Sequence, residues 1–173
     1  MELKEPTLIE KSQTILVGFS FFGDPFTLSA GWTEENEIGR LWKRFMSYFS
    51  QNPTAIKHIK ATNVMYETHI YHEETPVTGE FEVFVGVEVE KLEDVPIETV
   101  VKLFPETTYA AFTLKGRQIT SDWWKEIQDS WLPRLGYSGT YPYQFQCYDQ
   151  RFKGLEPGAL EQSVLEVHIP LKS

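Results

Sequence analysis

Gln146 and Tyr148 occupy alternate positions in the run Tyr143-Gln144-Phe145-Gln146-Cys147-Tyr148, and a strand through it puts both side chains on one face. A glutamine amide donates and accepts hydrogen bonds but brings no charge and cannot serve as a general base. A tyrosine adds a hydroxyl and a ring that attracts cations. Tyr66, Phe84 and Trp131 offer further flat apolar area, and Glu82 or Glu67 could bring a carboxylate from neighbouring strands. A carboxylate partly removed from water holds a cation far more strongly than an exposed one. Each residue also has a plainer use, since aromatic rings fill cores and strand glutamates usually face solvent.

Other chemistry finds little support. The chain has no Gly-x-Ser-x-Gly elbow, no cysteine–histidine pair close in sequence and no phosphate-cradling glycine loop, so no catalytic residue is assigned. A tyrosine with an acid, such as Tyr148 with Glu82, is the nearest approach to acid–base catalysis. His69, His72 and His168 lack metal-ligand spacing, and no metal or cofactor is expected. The one cysteine, Cys147, reads as a buried thiol, since free cysteine packs like a small apolar group. A net charge of −9 opposes the phosphate backbone, which argues against direct nucleic-acid binding. No apolar run is long enough to span a bilayer, and the charged, proline-broken start (Met1 to Pro6) lacks a signal-peptide core. A cytoplasmic location is the resulting expectation.

The elements that must position these side chains follow from periodicity. Thr14 to Phe22 is β-branched and aromatic and ends at the turn signal Gly23-Asp24-Pro25, so a buried strand is expected there. After an irregular segment from Phe26 to Trp32, Thr33 can cap a helix bearing Ile38, Leu41, Trp42, Phe45 and Phe49 as an apolar stripe, stopped by Asn52-Pro53. Thr62 to Tyr71 and Gly79 to Glu90 read as strands, the second alternating Phe81, Val83, Val85, Val87 and Val89 against Glu82, Phe84, Gly86 and Glu88. Lys91 to Pro105 reads as a connector. A second series then offers a strand from Thr107 to Lys115 and a helix capped by Thr120 or Ser121 with Trp123, Trp124, Ile127 and Trp131 on one side. Strands from Tyr143 to Phe152 and Ser163 to Leu171 complete it.

The two series match as pseudo-repeats of about 1–92 and 103–173 within one domain. Leu41-Trp42-Lys43 corresponds to Trp123-Trp124-Lys125, and Met65-Tyr66-Glu67-Thr68 to Cys147-Tyr148-Asp149-Gln150. Duplicated β-α-β-β units are expected to join as one antiparallel sheet with two helices on one face, making an α+β fold with a ligand groove at the junction.

Several motifs in order carry a family resemblance. They are Gly79-Glu80-Phe81-Glu82-Val83-Phe84-Val85-Gly86-Val87-Glu88-Val89, Tyr109-Ala110-Ala111-Phe112-Thr113-Leu114-Lys115-Gly116, Trp131-Leu132-Pro133, Phe145-Gln146-Cys147-Tyr148-Asp149 and Glu166-Val167-His168-Ile169-Pro170-Leu171. Over nearly its whole length the chain resembles the GyrI-like small-molecule-binding family, which includes effector-binding domains of AraC-type and multidrug-responsive activators. The resemblance implies paired β-α-β-β units around an aromatic groove, usually floored by a buried glutamate that pairs with lipophilic cations. In some relatives that glutamate resembles the catalytic group of a hydrolase acting on strained cyclopropane rings. Here the Phe-Glu-x-Tyr position of that glutamate is Gln146, so another carboxylate, Glu82 or Glu67, must compensate if a cation is bound. The expectation is a freestanding binding module without an appended DNA-reading helix-turn-helix. Its site is Tyr66, Glu82, Phe84, Trp131, Gln146 and Tyr148. The alternatives are a strained-ring hydrolase and a gyrase-inhibitor-like protein whose acidic surface meets a protein partner.

Overall fold

A computed structural model describes residues 2–31 and 33–173; Met1, and Trp32 at the end of the irregular segment, lie outside the described residues. In chain order the elements are β1 (Thr7–Lys11), β2 (Thr14–Gly23), α1 (Glu37–Gln51), β3 (Met65–Ile70), α2 (Thr75–Thr78), β4 (Phe81–Val89), β5 (Val100–Phe104) and β6 (Thr107–Lys115). There follow a 3-10 turn (Gly116–Gln118), α3 (Trp123–Glu126), a π turn (Ile127–Trp131), a second 3-10 turn (Leu132–Arg134), β7 (Gly139–Thr140), β8 (Tyr143–Tyr148), α4 (Ala159–Gln162) and β9 (Val164–Lys172).

The strands form one antiparallel sheet in the order β1-β6-β9-β8-β3-β4-β2-β5, with β7 added beside β9. This is the expected α+β architecture. Its centre is the β3–β8 pair, where Glu67 lies opposite Gln146 and His69 opposite Gln144. The connector is corrected, because residues 100–104 of it form β5, which pairs with β2. The early strand β1 was likewise unforeseen and pairs with β6. Each half therefore lends its leading strand to the outer edge of the other.

The helix α1 begins one turn later than expected. Asn36, not Thr33, is its cap: the Asn36 Oδ1 accepts from the Gly39 amide at 3.0 Å, while the Thr33 hydroxyl accepts from the Glu35 amide in a local turn. Leu41 and Phe45 are buried against Val17, Val83, Val85 and Val87, and burying such a stripe is what stabilises a helix of this length. The second helix departs further. Asp122 caps it, and after one α turn the Ile127 amide is shared between the carbonyls of Trp123 and Trp124 as the backbone widens into the π turn. Strand β8 stops at Tyr148, short of the expected Phe152, because Asp149 Oδ1 accepts from the Arg151 amide at 2.8 Å and turns the chain.

Both sheet faces are packed. The helices cover the first, over Val83, Val85, Val87, Ala110, Phe112, Leu114, Leu165 and Val167. The second carries a buried cluster including Leu16, Tyr66, Phe84, Phe104, Tyr109, Tyr143 and Phe145. The outer strands bend across it: Phe104 of β5 comes within 4.5 Å of the Tyr143 ring centroid and 4.9 Å of that of Phe145. From β1, the Lys11 ammonium lies between 5.4 and 5.9 Å from the rings of Phe145, Tyr66 and Tyr109. The cross-strand pair Gly18 and Gly86 permits the close approach of β2 and β4, since a β-carbon on Gly18 would sit 2.0 Å from the Val85 carbonyl oxygen.

Candidate functional site

The groove expected at the junction of the two halves would lie on the first face, over β3 and β8, where Trp42 of α1 and Trp124 of α3 pack against Tyr148 and Tyr71. Strand parity aims Glu67, His69, Gln144, Gln146 and Tyr148 toward it, on the side where Val83 and Val85 meet α1. Glu67 is the centre: it is 3% exposed, and both its oxygens are occupied. The Trp42 indole N–H donates to Oε2 at 2.6 Å, and His69 Nε2 lies 2.7 Å from Oε1. With Glu67 ionised, the His69 contact requires the proton on Nε2.

Gln146, directly across the strand pair, belongs to a chain of neutral groups. The Tyr148 hydroxyl donates to Gln146 Oε1 at 3.1 Å, the Gln146 amide donates to Gln144 Oε1 at 3.4 Å, and the Gln144 amide donates to the Tyr71 hydroxyl at 3.0 Å. Burial, and after it the Glu67 charge, hold the Tyr148 hydroxyl well above the ordinary phenol range. Burial pushes Tyr71 up to about 12; the Glu67 charge adds to this, and the hydrogen bond from Gln144 partly offsets it. Both phenols therefore stay protonated at neutral pH and serve as neutral polar groups beside the carboxylate.

Aromatic side chains close over these polar groups. The Trp42 ring packs edge-on to Tyr148 with centroids 5.0 Å apart, and Trp124 stacks on Tyr71 at 5.9 Å. Phe81 meets His69 at 5.2 Å and Tyr71 at 5.6 Å. A carboxylate in such walls can stabilise a cation by charge and by the ring faces together. An open cavity of about 410 Å³ lies elsewhere, lined by polar residues including Glu10, Lys11, Thr108, Tyr141 and Ser173.

Of the six residues expected in one groove, the structure brings together Gln146 and Tyr148. Tyr66, Glu82 and Phe84 are corrected to the other face. Tyr66 pairs with Cys147, so its side chain points opposite to Tyr148, and its hydroxyl donates to Glu88 Oε2 at 2.9 Å. Phe84 is fully buried in the aromatic cluster. Glu82 is paired with Lys102 of β5 at 2.5 Å. The internal match of Tyr66 with Tyr148 was thus slipped by one residue, which in a strand exchanges the faces. Trp131, the last residue of the π turn, meets Phe112 at 6.3 Å, while Trp124 is the tryptophan of this segment that stacks on Tyr71. Sequence reasoning left Trp42, His69, Tyr71 and Gln144 out of the site. The available signal was the alternation Glu67, His69, Tyr71 in phase with Gln144, Gln146, Tyr148.

Cys147 lies on the second face with Sγ 3.7 Å from His168 Nδ1, and burial pushes its thiol up to about 12, the opposite of an activated nucleophile. Among the described residues no group of three or more histidine, cysteine or acidic side chains could hold a metal, and no helix is long and apolar enough to cross a membrane.

Comparison with known proteins adds a family and a fold. The family model Cass2, integron-associated effector binding protein, matches residues 7–171. SAV2435, solved bound to tetraphenylphosphonium, superposes with a TM-score of 0.67 at 14% identity, covering 98% of this chain and 95% of that one. An integron cassette protein from the mobile metagenome of Vibrio cholerae superposes at 0.59 with 17% identity over 99% and 98%. The EcmrR C-terminal domain does so at 0.64 with 13% identity over 100% and 99%. Curated protein sequences gave no significant match.

Proposed function

The chain belongs to the Cass2 family of integron-associated effector binding proteins, and from that premise we propose that its groove binds a lipophilic aromatic cation over Glu67. One observation carries this reading: Glu67 is a buried carboxylate held by two ring N–H groups, with no lysine or arginine partner among the described residues. Buried charges are normally paired, because desolvating a lone ion costs several kcal/mol or more. A positively charged ligand would complete the pair. Trp42, Tyr148, Tyr71 and Trp124 would supply ring faces, and the neutral amides of Gln144 and Gln146 would add hydrogen bonds without a competing charge. The tetraphenylphosphonium on SAV2435 makes the same ligand class a natural probe here. Nucleic acid has no place in this reading, given the net charge of −9.

The test is a tryptophan-fluorescence titration with tetraphenylphosphonium and with neutral triphenylphosphine oxide. The expected result is saturable quenching by the cation, with the neutral compound at least about tenfold weaker. Equal affinities, or no saturation by either, would refute the proposed charge recognition. A hydrolytic reading draws on the 2.7 Å contact between His69 and Glu67, an acid–base pair in an apolar setting. It requires product to form from a strained-ring substrate, which chromatography of the mixture would reveal.

A further inference from the structure

We infer that the groove selects protonated amines, which carry an N–H, over permanently charged quaternary cations of the same shape. This rests on the cation reading above and follows from how Glu67 is already satisfied. Both of its oxygens accept hydrogen bonds from the protein. His69 is fixed in β3 against Phe81, whereas Trp42 projects from α1 and is half-buried at the rim, its ring edge-on to Tyr148 at 5.0 Å. A ring spacing of 5.0 Å leaves no room for an aromatic ligand between them, so a cation that reaches Glu67 from the Trp42 side swings the indole aside.

That movement takes the N–H away from Oε2. A ligand ammonium bearing a hydrogen can replace the lost bond, and a quaternary nitrogen cannot. A buried charged acceptor left without a donor is strongly disfavoured, while one donor exchanged for another is nearly neutral. The acceptor oxygens of Gln144 and Gln146, on the same floor, give further N–H groups a place to bond. Trp42 therefore covers the Glu67 carboxylate and sets how much either cation must displace, while the carboxylate itself distinguishes a cation that carries an N–H from one that does not.

The test compares biphenylmethyl-dimethylammonium with its N-methylated trimethylammonium counterpart by calorimetry at neutral pH, on the wild type and on Trp42→Phe. The added methyl of the quaternary probe favours it through apolar area, so the comparison is biased against the inference. The tertiary ammonium is expected to bind about tenfold tighter in the wild type. In Trp42→Phe both probes should tighten by a similar factor with their ratio kept, because neither then displaces an N–H. Equal or tighter quaternary binding in the wild type overturns the selectivity while leaving the cation site standing. Affinities unchanged in Trp42→Phe overturn the displacement of the indole. No binding of either probe to the wild type overturns the selectivity and the cation site together. The wild-type pair decides the matter even if the variant fails to fold.

Discussion

The two faces of the sheet hold similar side chains with different partners. On the second face the carboxylates already have cations: Glu82 has Lys102, and Glu88 has Lys60 at 3.1 Å together with the Tyr66 hydroxyl. The rings there are closed over by the outer strands, with Lys11 supplying an internal positive charge. On the first face Glu67 is more deeply buried than either, yet it is held by the rings of Trp42 and His69 and has no lysine or arginine partner among the described residues. Aromatic residues and a carboxylate are thus not enough to mark a binding site. What distinguishes the two is whether a lysine or arginine of the chain itself pairs with the carboxylate.

The largest effect that could break this contrast is Phe84→Ala. Removing that fully buried ring should lower unfolding free energy by about 3–5 kcal/mol in urea denaturation, with cation affinity unchanged in the folded protein. Loss of affinity at intact stability would place Phe84 in the binding site after all. Next, Glu67→Gln should weaken tetraphenylphosphonium binding about a hundredfold, some 2.7 kcal/mol, while barely affecting the neutral phosphine oxide. A third measurement concerns pH. Burial raises the Cys147 thiol from 9.0 to about 12 and the Tyr71 hydroxyl from 10.0 to about 12, so the folded state resists their ionisation. Their contribution to stability is complete below the unfolded values and is lost as pH rises through the folded ones. Stability should therefore fall between about pH 9 and 12, by up to roughly 1.4 kcal/mol per pH unit for each group still protonated only in the fold. A flat denaturation profile over that range would contradict the burial of these groups. The smallest effect is Glu82→Gln, which breaks a partly exposed pair and should cost under about 1 kcal/mol, with cation binding within about twofold.

Much of the fold was legible because its long elements declare themselves. Thr107 to Lys115 was read with its observed limits, and the alternation in β4 correctly divided Val83 and Val85 from Glu82 and Phe84. The outer strands were not legible. Thr7–Lys11 and Val100–Phe104 are short, half-exposed and flanked by Pro6 and Pro105, and only an available sheet edge makes strands of them. Within the site, Gln146 and Tyr148 were found together because they lie on one strand, where parity is local. Assigning Tyr66 to the same groove required the pairing of β3 with β8, a long-range register that Tyr66 and Glu67, both plausible groove residues, could not settle. The setting of Trp131 was not legible for a different reason: the π turn shifts every side chain after Glu126 relative to a regular helix.

The reciprocal lending of β1 and β5 has a consequence for dividing this protein. A chain cut within residues 91–99 would give an amino-terminal piece holding the border strand of the other half and a carboxy-terminal piece holding that of the first. Neither piece could complete its own sheet, and each would carry what the other lacks. Co-produced fragments are therefore expected to clasp one another and restore the groove across β3 and β8, making the junction a natural place to build a ligand-responsive split reporter.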